Sequence, residues 1–164
     1  MSQQKLFEEE PKKRKKPVML TGRSRKFLER SGFIVALVER SLDVAKDKSN
    51  PFGPRFRNKF DAFSVADLIA VRPDTIGTLY IQVTDFHNAQ PHKEKMLAAK
   101  AVPILLSASN RIELHLWKSS KQSGQKLWKL HIYKMDQSRA DGVFFMDPDE
   151  RWFTENMQDF EPDF

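Results

Sequence analysis

Asp67 interrupts the apolar run Val65-Ala66-Asp67-Leu68-Ile69-Ala70-Val71, and fifteen residues later a second apolar run closes on the polar triplet Gln82-Val83-Thr84. Further carboxylates stand at Glu29, Glu39 and Asp61, and ammonium groups follow at Lys93 and Lys95. Carboxylate and amide-carbonyl oxygens are what a hard divalent cation takes as ligands, although an amide brings no negative charge. Other chemistries have less to work with. The chain has no cysteine, so disulfides and thiolate metal sites are excluded. His87, His92, His115 and His131 do not have zinc-ligand spacing. There is no glycine-rich phosphate loop and no strained serine turn.

The elements that must position these residues follow from hydrophobic period and turn residues. A helix is expected over residues 22–31, with Phe27 and Leu28 facing a core and Gly32 stopping it. Residues 32–39 are β-branched and apolar and read as a buried strand. Residues 41–57 read as a polar loop, with Asn50-Pro51 and Gly53-Pro54 as turn signals. Strands over 65–71 and 78–84 flank a short turn, which suggests a hairpin. Residues 88–107 are helical in character, with Pro103 expected to kink or divide the helix. Residues 111–117 and 126–133 alternate as strands around a polar turn, and His115 and His131 are expected on an exposed face. Trp117, Trp128 and Tyr133 read as cross-strand packing.

Charge narrows the partner. Residues 141–164 hold eight acids against Arg151, a net of −7, so the rest of the chain must carry +13 for the total to be +6. A body this basic attracts polyanions, and nucleic acid is the usual one. No apolar run approaches the roughly 20 residues of a spanning helix, so no membrane partner is expected. The polar, charged N-terminus is unlike a secretory signal. A cytoplasmic setting, in a bacterial or phage-infected cell, is the expectation.

The element order, helix, three strands, helix and strand, with Asp67 in the second strand and Gln82-Val83-Thr84 ending the third, resembles the PD-(D/E)XK nuclease superfamily. More closely, Asp61-Ala62-Phe63-Ser64-Val65-Ala66-Asp67-Leu68, Gln82-Val83-Thr84 and Arg111-Ile112-Glu113-Leu114-His115-Leu116-Trp117 are similar to motifs of a group of uncharacterised phage and bacterial members, Holliday-junction-resolvase-like, over roughly residues 24–134. The resemblance implies an α/β fold, a restriction-endonuclease-like αβββαβ core with a mixed sheet and an extra C-terminal strand. It implies a metal-dependent endonuclease hydrolysing DNA phosphodiester bonds with Mg²⁺ or Mn²⁺, on junction or branched structures in phage recombination or repair. Asp67 and Gln82 would be catalytic and bind the metal, helped by Glu39 or Glu29, with Asp61 a further carboxylate. In the superfamily the positions of Gln82 and Thr84 carry an acid and a Lys, so Lys93 or Lys95 would supply the ammonium. Arg55, Arg57 and Lys59 would grip the nucleic-acid backbone. The superfamily's resolvases suggest a homodimer. The alternative is a non-catalytic nucleic-acid-binding or replisome adaptor protein that keeps the nuclease fold, which the replacements at Gln82 and Thr84 favour.

Three segments are expected: a disordered basic tail over 1–20, a nuclease-like domain over 21–136 and an acidic tail over 137–164. In the first, Gln3, Leu6 and Phe7 resemble the bacterial peptide that docks on the DNA-polymerase sliding clamp, with Leu6 and Phe7 suited to an apolar pocket. Lys12, Lys13, Arg14, Lys15 and Lys16 suit a phosphate-binding arm, a nuclear-localisation signal or a solubilising tail equally, because all three need the same charge. The C-terminus is similar to the acidic tip of bacterial single-stranded-DNA-binding proteins, with Asp163-Phe164 where those end in Pro-Phe.

Overall fold

A computed structural model describes residues 19–38, 40–43, 57–122, 124–138 and 142–159. Helix α1, Leu20–Arg30, ends where Gly32 takes φ 85°. There the Gly32 N–H bonds back to the Glu29 carbonyl and the Phe33 N–H to the Leu28 carbonyl, the paired bonds of a left-handed helix stop. The chain then enters β1, Ile34–Leu37.

Strand β1 pairs antiparallel with β4, Leu68–Val71, which pairs antiparallel with β5, Leu79–Asp85. A one-turn 3-10 helix, Phe86–Asn88, then α2, Ala89–Ala98, and α3, Ala101–Ser107, cross over to β6, Arg111–Gln122. Strand β6 lies parallel to β5, as a helical crossover requires. It turns into β7, Gln125–Ser138, its antiparallel partner. The far edge of β7 is shared by β8, Gly142–Phe145, and β9, Asp149–Thr154. The fold is therefore α/β, with a mixed, open sheet of seven strands.

Several elements differ from the sequence reading, each for a local reason. The stretch 41–57, expected to be a loop, begins and ends in strand: β2, Arg40–Asp43, pairs antiparallel with β3, Arg57–Phe60. The helical crossover divides at Ala99, which is extended at ψ 118°, and not at Pro103. Pro103 is the third residue of α3, where a missing N–H costs nothing because first-turn donors have no intrahelical acceptor. The expected turn over 118–125 tightens to the residues around Gly124, φ 78°, because Lys118–Gln122 continue the ladder with β7. Strands β8 and β9 fall within the stretch expected to be an acidic tail. The carboxylates of β9 and of the residue after it find cations elsewhere: Asp149 pairs with Lys134, Glu150 with Lys129, and Glu155 with Arg23.

Alternation along β5 gives the sheet two different faces. Leu79, Ile81 and Val83 point to α1 and join Leu28, Trp117, Leu130 and Phe153 in one core cluster. Tyr80, Gln82 and Thr84 point the other way, to α2 and α3, where Val65, Met96, Val102, Ile112 and Leu114 pack. No described helix is long and apolar enough to cross a membrane.

Candidate functional site

The α2 face of β5 carries the site, and a tight turn supplies half of it. Ala62 and Ala66 bridge antiparallel, and the Val65 N–H bonds to the Ala62 carbonyl. The central residues Phe63 and Ser64 sit at φ 55° and 60°, the sign that a hairpin turn of primed type needs. Left-handed backbone at a non-glycine residue costs roughly 1–2 kcal/mol. Burial of Val65 and Ala66 holds the chain there. By the register of that bridge, Asp61 and Asp67 stand opposite each other at the neck of the turn.

Asp67 is 1% exposed, and its Oδ2 accepts from Gln82 Nε2 at 2.6 Å and from the Val83 N–H at 2.9 Å. The carboxylate thus replaces a backbone carbonyl where the β4–β5 ladder stops, after the Asp67 N–H has bonded to the Ile81 carbonyl. Asp61, its side chain 9% exposed, holds the ammonium of Lys95 from α2 on Oδ2. Asp61 Oδ1 and Gln82 Oε1 are buried, and neither has a hydrogen-bond partner among the described residues. A buried acceptor without a partner costs about 1–3 kcal/mol, so both oxygens favour a donor or a cation from outside. Thr84, also buried, lies on the same face.

The site brings together two carboxylates, one amide carbonyl and one ammonium: Asp61, Asp67, Gln82 and Lys95. Among the described residues no three His, Asp or Glu side chains gather as a complete ligand set. Mg²⁺ usually binds through one or two carboxylates and takes its remaining oxygens from water and phosphate, so this donor set fits it.

Other expected site residues lie elsewhere. Glu29 is on α1, against the opposite face of the sheet, and pairs with Arg25 at 2.7 Å. It is not brought to Asp67. Lys93 turns away from the carboxylates and sits 3.5 Å from the Tyr133 ring centroid, where desolvation pushes its ammonium pKa down. Of the two lysines the spacing offered, Lys95 reaches the acids. Arg57 and Lys59 belong to β3, just before Asp61. Glu39, Arg55, the Lys12–Lys16 cluster, and Gln3, Leu6 and Phe7 lie outside the described residues.

Two groupings escaped the sequence reading, both involving histidines expected on an exposed face. His115 is fully buried between Ser24 of α1 and Glu113. His131 is 9% exposed and bonds Glu150 of β9 through Nδ1 at 3.0 Å. Alternation places both correctly on their strands, but α1 covers His115 on one face, and on the other His131 is bonded by Glu150 of the neighbouring strand β9. The one available signal was the matched polarity of Glu113-His115 and Lys129-His131 inside otherwise apolar strands.

No protein-family profile, curated protein or solved structure matches the chain. The site's geometry therefore carries the functional argument.

Proposed function

We propose that the protein is a metal-dependent endonuclease acting on DNA, a member of the PD-(D/E)XK superfamily in which the usual acid and Lys have moved. The order α1, β1, β4, β5, α2–α3, β6, with β2–β3 as an insertion and β7 as the added strand, supports an αβββαβ core of the restriction-endonuclease type. The observation that carries the reading is the meeting of Asp61, Asp67, Gln82 and Lys95 around two buried oxygens without partners. In this reading Asp61, six residues before Asp67, serves as the second acid in place of position 82, and Lys95 of α2 takes the place of the ammonium absent at Thr84.

Asp61, Asp67 and the Gln82 carbonyl would hold Mg²⁺ or Mn²⁺. When bound, the ion neutralises charge developing on the phosphate and makes a bound water more acidic. The chain's own residues do the rest. Lys95 fixes Asp61 and offers its ammonium to a non-bridging phosphate oxygen. The Val83 N–H holds the Asp67 carboxylate in place. Burial makes each of these interactions stronger than it would be in water. Recruitment to a sliding clamp through Gln3, Leu6 and Phe7, backbone contacts from Arg55, Arg57 and Lys59, and dimer formation belong to the same proposal.

A second reading, a non-catalytic nucleic-acid-binding adaptor, is favoured by one specific bond. Gln82 presents its N–H to Asp67 Oδ2, so that oxygen is already occupied. Incubation with labelled duplex, flap and four-way-junction DNA in Mg²⁺, Mn²⁺ or EDTA separates the two. Metal-dependent cutting that disappears in both Asp61→Asn and Asp67→Ala establishes the nuclease. Binding without cutting in any metal leaves the adaptor.

A further inference from the structure

Beyond the row Asp67–Gln82, the α2 face of the sheet becomes strongly cationic. The registers place Leu116 opposite His131, and Lys118 opposite Lys129. Like charges directly across a strand pair destabilise a sheet, so Lys118 facing Lys129 is a cost the fold carries. Lys93 approaches the same ground from α2, and the charges of Lys93, Lys118 and Lys129 all bear on His131. Against these three ammonium groups stands Glu150, which bonds Lys129 at 2.6 Å and His131 at 3.0 Å. Positive charge remains in excess.

A second observation points to a ligand. His131 is more than nine-tenths buried, its Nδ1 is committed to Glu150, and its Nε2 has no hydrogen-bond partner among the described residues. Beside it, Lys118 lies 4.6 Å from the centroid of the exposed Phe86 ring. An oxygen-rich anion entering there would meet Lys118 and Lys93; with the Nδ1 proton given to Glu150, Nε2 donates to it only as the imidazolium, the form that the anion's own charge favours.

We infer that Lys93, Lys118, Lys129 and His131 form a docking site for the phosphodiester backbone of a nucleic-acid strand, separate from the reacting centre and feeding it. The inference rests on the reading of this face as a nucleic-acid-processing site. Strand spacing and rise put His131 roughly 12 Å from Gln82, two strands over and one row on. That equals about three to four nucleotide steps at 3.4 Å of axial rise. The docked phosphate belongs to the same strand as the one at Asp67, a few nucleotides away. The site thus fixes which phosphate reaches the carboxylates.

The test is fluorescence anisotropy with a labelled 20-nucleotide single strand and the matching duplex, in EDTA so that no cutting intervenes, across a salt series. It compares the full chain with Lys118→Ala/Lys129→Ala, with the charge reversal Lys118→Glu, and with Lys26→Ala on the opposite face as control. Circular dichroism verifies folding, and removing the facing lysines should not harm it. On a single strand the double variant should lower the salt slope by about 1.4 and weaken binding roughly twenty-fold near 0.1 M salt. Lys118→Glu, which changes the charge by the same two units, should weaken binding to a similar extent, and Lys26→Ala should behave as the unaltered chain. Unchanged slope and affinity in the double variant overturn the docking site, while binding by the unaltered chain keeps the polyanion reading. No nucleic-acid affinity in the unaltered chain overturns both. Absence of cleavage in Mg²⁺ bears on neither result.

Discussion

The Ser24 hydroxyl of α1 lies 3.1 Å from Nδ1 of His115 on β6, a contact between residues 91 positions apart. Its oxygen accepts from Trp117 Nε1 at 2.9 Å, and its hydrogen goes to Nδ1 because the Glu113 carboxylate, which only accepts, takes the proton on the other ring nitrogen. His115 then carries its proton on Nε2 and donates it to Glu113 Oε2 at 3.1 Å. The order Ser–His–Glu has the look of a hydrolase relay, but Ser24 and His115 are fully buried, with no room for a substrate. The chain of bonds is a clamp that seats α1 on the sheet.

Ser24→Ala should therefore act on stability. It leaves the Trp117 N–H and His115 Nδ1 without their shared partner, at about 1–3 kcal/mol for each group. Urea denaturation should show a lower midpoint, while nucleic-acid binding by the folded fraction stays the same. An unchanged midpoint refutes the clamp.

Ser64→Gly should stabilise the protein. Relief of left-handed strain at φ 60° is worth roughly 1–2 kcal/mol, and the added freedom of glycine in the unfolded chain takes back about 0.5–1. A gain of about 0.5–1 kcal/mol is expected in the same denaturation experiment. A loss would mean that the Ser64 side chain holds the turn in some other way.

Gln82→Glu tests the metal fit without measuring activity. The new carboxylate would face Asp67 across a buried 2.6 Å contact where an N–H now donates, and two adjacent buried carboxylates repel. In EDTA the melting temperature should fall by several degrees. Millimolar Mg²⁺ or Mn²⁺ should restore it, since a ligand present at a hundred times its Kd adds about 2.7 kcal/mol. A variant equally unstable with and without metal would argue against Asp61, Asp67 and position 82 as a cation site.

Acidity should weaken the fold through His131. Desolvation pushes its pKa below the ordinary value, Lys129, Lys118 and Lys93 push the same way, and Glu150 opposes them. A histidine with a lowered folded pKa takes up its proton more readily when unfolded. Its contribution is complete above the unfolded pKa of about 6.5 and is lost as pH falls through the folded value. Glu150, whose own pKa is lowered first by its bond from Lys129, adds a further loss below the usual carboxylate range. Denaturation midpoints between pH 8 and pH 5 should fall with acidity. His131→Gln should flatten the upper part of that fall, and a slope unaffected by the substitution would remove His131 from the account.

Much of the sheet was legible because β1, β4 and β5 are short apolar runs between turn residues, but β1, expected to be buried, lies at the sheet edge with Ile34 and Leu37 exposed. That Asp67 and Gln82 meet was legible from spacing, since one strand pair brings them together, and the crossover helix offered both Lys93 and Lys95. The choice between Lys93 and Lys95 was not, because it depends on how α2 is rotated against the sheet. The pairing of Lys118 with Lys129 depends on the register of a hairpin whose turn is tighter than its polar composition suggests. Register decides which side chains face one another, and a single strand's alternation does not contain it. Strand β9 was hidden by its acids Asp149 and Glu150, whose partners Lys134 and Lys129 are supplied by β7.

Strand β7 is fourteen residues long, and β8 and β9 divide its outer side between them. Without that cover, a long run of backbone donors and acceptors would lie open beside Trp128, Leu130 and Ile132, a template for another chain to add its own strand. The carboxylates of β9 make the covering segment itself a poor template, since a second copy would bring like charge against like. The acidic segment thus guards the β7 side of this open sheet, so that a second copy of the chain finds no bare backbone there to extend.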